Sequence, residues 1–169
     1  MNLADFQIAE LCRCGMVDPF DEALINPASL DVRLGDELLI EGAESRDMVR
    51  YPFHAHGEED PYWMRSGQFV LGCTLEVITI PGNLTAQFVL KSSRGREGIE
   101  HLMAGWVDPG YRGRLTLELH NSRQLHGVAI WPGMRIGQLV FSRLEERPLR
   151  TYAETGRYQG DMRVRESLG

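Results

Sequence analysis

From Ser29 onward the apolar residues of this chain come only in short runs, each cut by Gly, Pro or Asn: LDVRLG, ELLIEG, GQFVLGCTLEVITIPG, LTAQFVL, RLTLELHN, GVAIWPG and RIGQLVFSRL. Runs of this kind, bounded by turn residues, are read as strands. Many short strands at close spacing call for a sandwich, jelly roll or barrel. The 18 Gly among 169 residues point the same way. Within RLTLELHN, Leu115, Leu117 and Leu119 alternate, which puts Thr116 and Glu118 together on the opposite face. Glu is disfavoured in strands and rarely buried alone, so Glu118 faces either bulk water or something that needs a carboxylate.

The N-terminus follows another rule. LADFQIAELCRCG spaces Leu3, Phe6, Ile8 and Leu11 roughly as one helix face and closes at Gly15, which predicts a short amphipathic helix with few others after it. Gly42 to Pro61 is polar and acidic without a period, and reads as a long connection or irregular excursion. The Arg-rich tail from Glu145 has almost no aliphatic pattern, so it must lie on the domain, lie on a neighbour or stay mobile. The length is about one domain's worth, which makes residues 1–169 a single domain with 145–169 as its tail.

Bulk properties remove some functions. A net charge of -6 argues against a general nucleic-acid binder, so any phosphate site must be local. Cys12, Cys14 and Cys73 are an odd number and read as reduced thiols of a cytoplasmic protein. No apolar run has the length a bilayer needs, and MNLADFQIAE lacks the basic then apolar layout of a signal peptide.

Three segments can carry chemistry. KSSRGREG, Lys91 to Gly98, follows the run LTAQFVL and offers two hydroxyls, three cations and two glycines, the parts of a polyanion cradle or of an ordinary solvated loop. It is not a P-loop, because the GxxxxGK[ST] order is absent. In AGWVDPGYRGRLTLELHN, Asp108 sits on a Pro-Gly turn and Glu118 on a strand, so the two can approach one ligand or can pair with Arg112 or Arg114 at the surface. In the tail, Arg157, Tyr158 and Gln159 offer a cation, a ring and an amide, the makings of a lid or only of a tail. HAH at His54 to His56 is the one histidine cluster, and no Cys or His spacing matches a zinc site. Trp63, Trp106 and Trp131 read as core or interface residues, with Trp106 held open because of where it stands.

Together, INPASLDVRLG, GQFVLGCTLE, KSSRGREG, AGWVDPGYRGRLTLELHN, PGMRIGQLVF and RYQG resemble, in order and over nearly the whole chain, the dCTP deaminase branch of the dUTPase-like superfamily. The resemblance implies a mainly β fold, a distorted β-barrel or jelly roll with a short N-terminal helix. It also implies a homotrimer with active sites at subunit interfaces and no nucleic-acid or membrane partner. The ligands would be deoxycytidine, deoxyuridine and thymidine nucleotides, with Mg²⁺ carried by the triphosphate and water and no zinc. Carried over by motif, Glu118 is the general base, Ser92 and the Ala104 carbonyl hold the attacking water, and Arg96 orients Glu118. The stretch AGWVDPGY is similar to that of the bifunctional members, which go on from dUTP to dUMP and diphosphate, and there Asp108 contacts the sugar or activates a second water. Trp106, Val107 and Tyr111 then line the substrate, while Lys91, Ser93, Gln138, Tyr152, Arg157, Tyr158 and Gln159 contact phosphates. The alternatives are deamination alone, action on a modified deoxycytidine nucleotide, or a silent nucleotide-binding regulatory module. The chain departs from the family in SSRGR where SSLGR is common, in a linker EGIEHLM one residue shorter, and in Arg157 where many members have Lys.

Overall fold

Thirteen consecutive residues, Ser29–Glu41, form the longest strand, and the rest of the architecture is organised around it. In the computed structural model, which describes residues 1–44 and 46–169, this strand is β3. It follows helix α1 (Asp5–Arg13), β1 (Val17–Asp18) and β2 (Ile25–Asn26). After it come β4 (Met48–Tyr51), β5 (Tyr62–Met64), β6 (Phe69–Thr74), β7 (Val77–Thr79), β8 (Leu84–Leu90), helix α2 (Ser92–Glu97), β9 (Ile99–His101) and β10 (Trp106–Val107). The chain ends with β11 (Arg112–Gly113), β12 (Thr116–Asn121), β13 (Val128–Ile130), β14 (Arg135–Arg143) and helix α3 (Tyr152–Thr155).

The main sheet runs β10-β8-β14-β3-β6-β12-β9, with β2 and β4 added along β3; β1-β7-β11 and β13-β5 form smaller sheets, and every pairing is antiparallel. This is the curled, mainly β architecture that the short runs predict. Its core includes Leu30, Val32, Leu34, Leu38, Leu117, Leu119, Leu139 and Phe141, all at most 1% exposed.

Sequence punctuation and strand ends differ at three places, each for a steric or pairing reason. LDVRLG and ELLIEG are one strand: β3 passes through Gly35 and its register shifts between Leu34 and Leu38, so it bends from β14 to β6. A Cβ on Gly35 would lie 3.1 Å from both the carbonyl oxygen and Sγ of Cys73, a tight contact that would press the strands apart by a few tenths of an ångström, so glycine suits their close approach. Conversely, GQFVLGCTLEVITIPG splits into β6 and β7 in different sheets, because Glu76 at the break turns inward onto Arg33. The stretch 42–61, apart from Ser45, which lies outside the described residues, is not irregular throughout. It holds β4, paired with β3 from Leu38↔Tyr51 to Glu41↔Met48, and a buried Phe53 in an aromatic group with Tyr51, His56 and Tyr62.

Helix α1 forms where its pattern predicts, but its buried face is Ile8, Ala9 and Cys12, with Phe6 70% exposed. At about 100° per residue, Phe6 cannot share a face with Ile8 and Cys12. The Gln7 side chain accepts from the Ala4 N–H at 3.1 Å and closes the first turn. All three cysteines are free thiols; burial pushes Cys73 up to about 11 and Cys12 up to about 12, which leaves those two unreactive, while Cys14 is exposed. No helix is long and apolar enough to cross a membrane among the described residues.

Glu76 is 1% exposed and fully used, accepting from Arg33 Nε at 2.7 Å and from the Arg33 backbone N–H at 2.9 Å. Removing Glu76 leaves the Arg33 backbone N–H without its acceptor and the half-buried guanidinium without its partner. Glu76→Ala is therefore expected to destabilise the chain by about 3 kcal/mol, read as a lower urea midpoint at unchanged slope.

Candidate active site

The alternation in RLTLELHN holds: Leu117 and Leu119 point into the core, while Thr116 and Glu118 are half-buried on the other face of β12. That strand lies between β6 and β9, with Glu118 opposite Leu71 and Leu119 opposite His101, so Glu118 stands on a rigid mount. It opens onto a cavity of about 500 Å³. Ala104, Trp106, Val107, Asp108, Tyr111, Arg114 and Thr116 line it with Glu118, and Tyr152, Tyr158 and Asp161 join the lining from the tail.

Each wall has a local cause. Asp108 to Tyr111 is a tight turn in which the Tyr111 N–H donates to the Asp108 carbonyl at 3.2 Å, and Gly110 takes a φ of +86° that suits glycine. The Trp106 indole N–H donates to Asp108 Oδ1 at 3.0 Å, which fixes the carboxylate at the cavity rim. Tyr111 is buried and its hydroxyl donates to the Arg114 carbonyl at 2.8 Å; burial, with Tyr152 and Asp161 nearby, raises its pKa, so it stays neutral. The Tyr158 hydroxyl is lowered from its ordinary range by the Leu168 backbone N–H that donates to it at 3.1 Å.

The tail packs on its own chain. Gly160 N–H donates to Arg112 O at 2.7 Å, Arg114 N–H to Asp161 O at 2.8 Å, and Val164 is buried against Leu39, Leu71 and Cys73. A single aliphatic residue thus supplies the anchor that the composition of the tail conceals. Gln159 clasps the turn, accepting from Arg112 N–H at 3.0 Å and donating to Gly110 O at 3.2 Å.

The other expected residues stand apart from this cavity. KSSRGREG is a helical turn, α2, closed by Gly98 in the left-handed region, and Ser92, Ser93 and Arg96 are exposed on it. Lys91 pairs with buried Asp31 at 2.5 Å, and Arg135 approaches the same carboxylate at 3.6 Å, so two cations face one anion and one positive charge is left over. Gln138 accepts from Ser29 Oγ at 2.7 Å, which leaves its amide N–H groups to donate. Arg157 is exposed. None of Lys91, Ser92, Ser93, Arg96, Gln138, Arg157 or Gln159 lines the cavity with Glu118. Among the described residues no three His, Cys, Asp or Glu side chains gather as metal ligands.

Glu118 pairs with neither Arg112 nor Arg114, the latter meeting Asp36 at 3.6 Å. Its partner is His101, whose Nε2 lies 3.3 Å from Glu118 Oε2. Sequence reasoning missed His101 because it is an isolated histidine outside HAH, and its one signal is its place in the linker just before AGWVD. Asp31, Asn26 and Ser29, which hold Lys91 and Gln138, were visible only as the unexplained polar letters of INPASLD.

A family model described as dCTP deaminase-like matches residues 3–144. A dUMP-forming dCTP deaminase of Beutenbergia cavernae is 40% identical, over 95% of this chain and 90% of that protein. One of Sulfurihydrogenibium sp. is 41% identical, over 85% and 82%. Among solved structures, a 2'-deoxycytidine 5'-triphosphate deaminase from Agrobacterium tumefaciens superposes with a TM-score of 0.65 at 23% identity, over 83% of this chain and 47% of that one. At that identity the likeness speaks for the fold, and this chain spans about half of that protein's length.

Proposed function

The chain belongs to the dCTP deaminase-like family, and from that premise we propose that it removes the C4 amino group of dCTP and hydrolyses the dUTP formed to dUMP and diphosphate. The observation that supports this most is Glu118, a strand-mounted carboxylate at the wall of a cavity of about 500 Å³ that also presents Asp108. In this reading Glu118 takes a proton from water held by Ser92 and the Ala104 carbonyl, hydroxide adds to C4, and the proton passes to N3 of the ring. Glu118 then moves the proton of the new hydroxyl to the amino group, which leaves as ammonia. Arg96 orients Glu118. Asp108 then activates a second water for attack on the α-phosphate, and diphosphate departs.

Lys91, Ser93, Gln138, Arg157 and the tail residues Tyr152, Tyr158 and Gln159 are the proposed phosphate contacts. A donor set of cations, hydroxyls and two amides fits a triphosphate whose Mg²⁺ is held by its own oxygens and water; when bound, that ion would neutralise phosphate charge. The separation of Ser92 and Arg96 from the Glu118 cavity supports a homotrimer in which one copy supplies α2 to the cavity of the next. Exposed Val89, Leu102, Met103 and Trp106, close to the short edge strand β10, suit such a contact. Three free thiols suit a cytoplasmic setting, and residues 145–169 would act as the lid of a single domain.

The test is to incubate the protein and Mg²⁺ with dCTP and resolve the products. dUMP with diphosphate is the expected result. Accumulated dUTP would leave deamination alone, and tight nucleotide binding with no product would mark a regulatory module.

A further inference from the structure

We propose that His101 is a positioning residue for Glu118, gripping one carboxylate oxygen so that the other faces the cavity. The proposal rests on the reading of Glu118 as general base. His101 is the last residue of β9 and is 8% exposed, and the ring of Phe88 lies 4.7 Å from its imidazole. Its Nε2 and Glu118 Oε2, 3.3 Å apart, are both sealed from solvent, and neither has a hydrogen-bond partner. Among the described residues only Arg94 Nε shares that condition. Buried polar groups are normally satisfied, so two orphans facing each other beside a cavity define one unmade bond. Catalytic hydrogen bonds of this kind are commonly long without substrate and tighten with it.

No other charged side chain lies within ion-pair distance of His101 among the described residues, since the nearby His120 and Glu100 pair with each other at 3.7 Å. The same histidine also anchors the turn that carries Ala104. Met103 N–H donates to the His101 carbonyl at 2.7 Å, Leu102 N–H to the Glu118 carbonyl at 3.4 Å, and Met103 takes a φ of +60°. A left-handed methionine persists only where its surroundings determine it. The His101 side chain therefore faces the Glu118 carboxylate, while its backbone carbonyl, which every variant at 101 keeps, holds the turn that leads to Ala104. Asp108 depends on neither, since Trp106 and its own turn hold it.

That separation gives a specific test, with dCTP deamination and dUTP hydrolysis measured apart on wild type, His101→Leu, His101→Ala and His101→Gln. In both apolar variants kcat for dCTP is expected to fall about 100-fold, the loss typical of a misplaced catalytic group, with KM and dUTP hydrolysis within about threefold. His101→Gln, whose amide N–H can stand near the place of Nε2, is expected to recover at least about a tenth of the wild-type rate. Unchanged dCTP turnover in both apolar variants, equal loss of both reactions, or no recovery with Gln overturns the proposal. Wild-type protein that converts no dCTP overturns the reading of Glu118 itself, and the proposal with it.

Discussion

Replacing Glu118 by Gln is expected to lower kcat for dCTP deamination by about 10³-fold or more, while nucleotide affinity stays within a few-fold of wild type. The amide keeps the shape of the carboxylate but cannot take a proton from water, so the loss should fall on the chemical step. Glu118 is half-buried and pairs with no Lys or Arg, its neighbour being a histidine at 3.3 Å, so no strong ion pair is broken and the fold should survive. Hydrolysis of dUTP, assigned to Asp108 on a separate turn, should persist. Single-turnover measurement with dCTP, beside calorimetric titration with the same nucleotide, separates chemistry from binding. Residual deamination within tenfold of wild type would show that another group moves the proton.

What the sequence reveals here is local, and what it conceals is pairing. The alternation of Leu117 and Leu119 and the odd acid between them could be read directly, because a half-buried strand imposes a period of two. Gly35 read as an end because glycine usually punctuates, yet its close approach to Cys73 lets β3 continue through a bend. Glu76 read as part of a run because nothing nearby showed that Arg33, 43 positions earlier, would draw it inward. Phe53 and Tyr51 were lost among the acids of 42–61, where two aromatic anchors outweigh a polar composition.

The candidate site was legible in the same uneven way. Eight of the expected residues, Ala104, Trp106, Val107, Asp108, Tyr111, Glu118, Tyr152 and Tyr158, line one cavity. The tail members reach it through Val164, whose burial depends on a pocket made by β3 and β6. His101 was invisible because its contact with Glu118 exists only once β9 pairs with β12. The same pairing makes the His101 variants and Glu118→Gln complementary, since one tests how the carboxylate is held and the other whether it works.

Asp108→Asn is expected to split the two reactions in the opposite sense, with dCTP still consumed but dUTP accumulating and dUMP formation falling by about 10² to 10⁴-fold. The Trp106 indole N–H occupies Asp108 Oδ1 at 3.0 Å, which leaves Oδ2 as the oxygen able to accept a proton from water. Asn can keep the bond from Trp106 through its carbonyl oxygen, and the turn from Asp108 to Tyr111 rests on backbone bonds, so the loop should not move. Deamination should persist, because Glu118 is mounted on β12 and faces His101 of β9, both outside this turn. Following dCTP, dUTP and dUMP together over time distinguishes a blocked second step from a slower first one. If dUMP still appears at the wild-type rate, the α-phosphate water is activated elsewhere and Asp108 serves only to shape the turn.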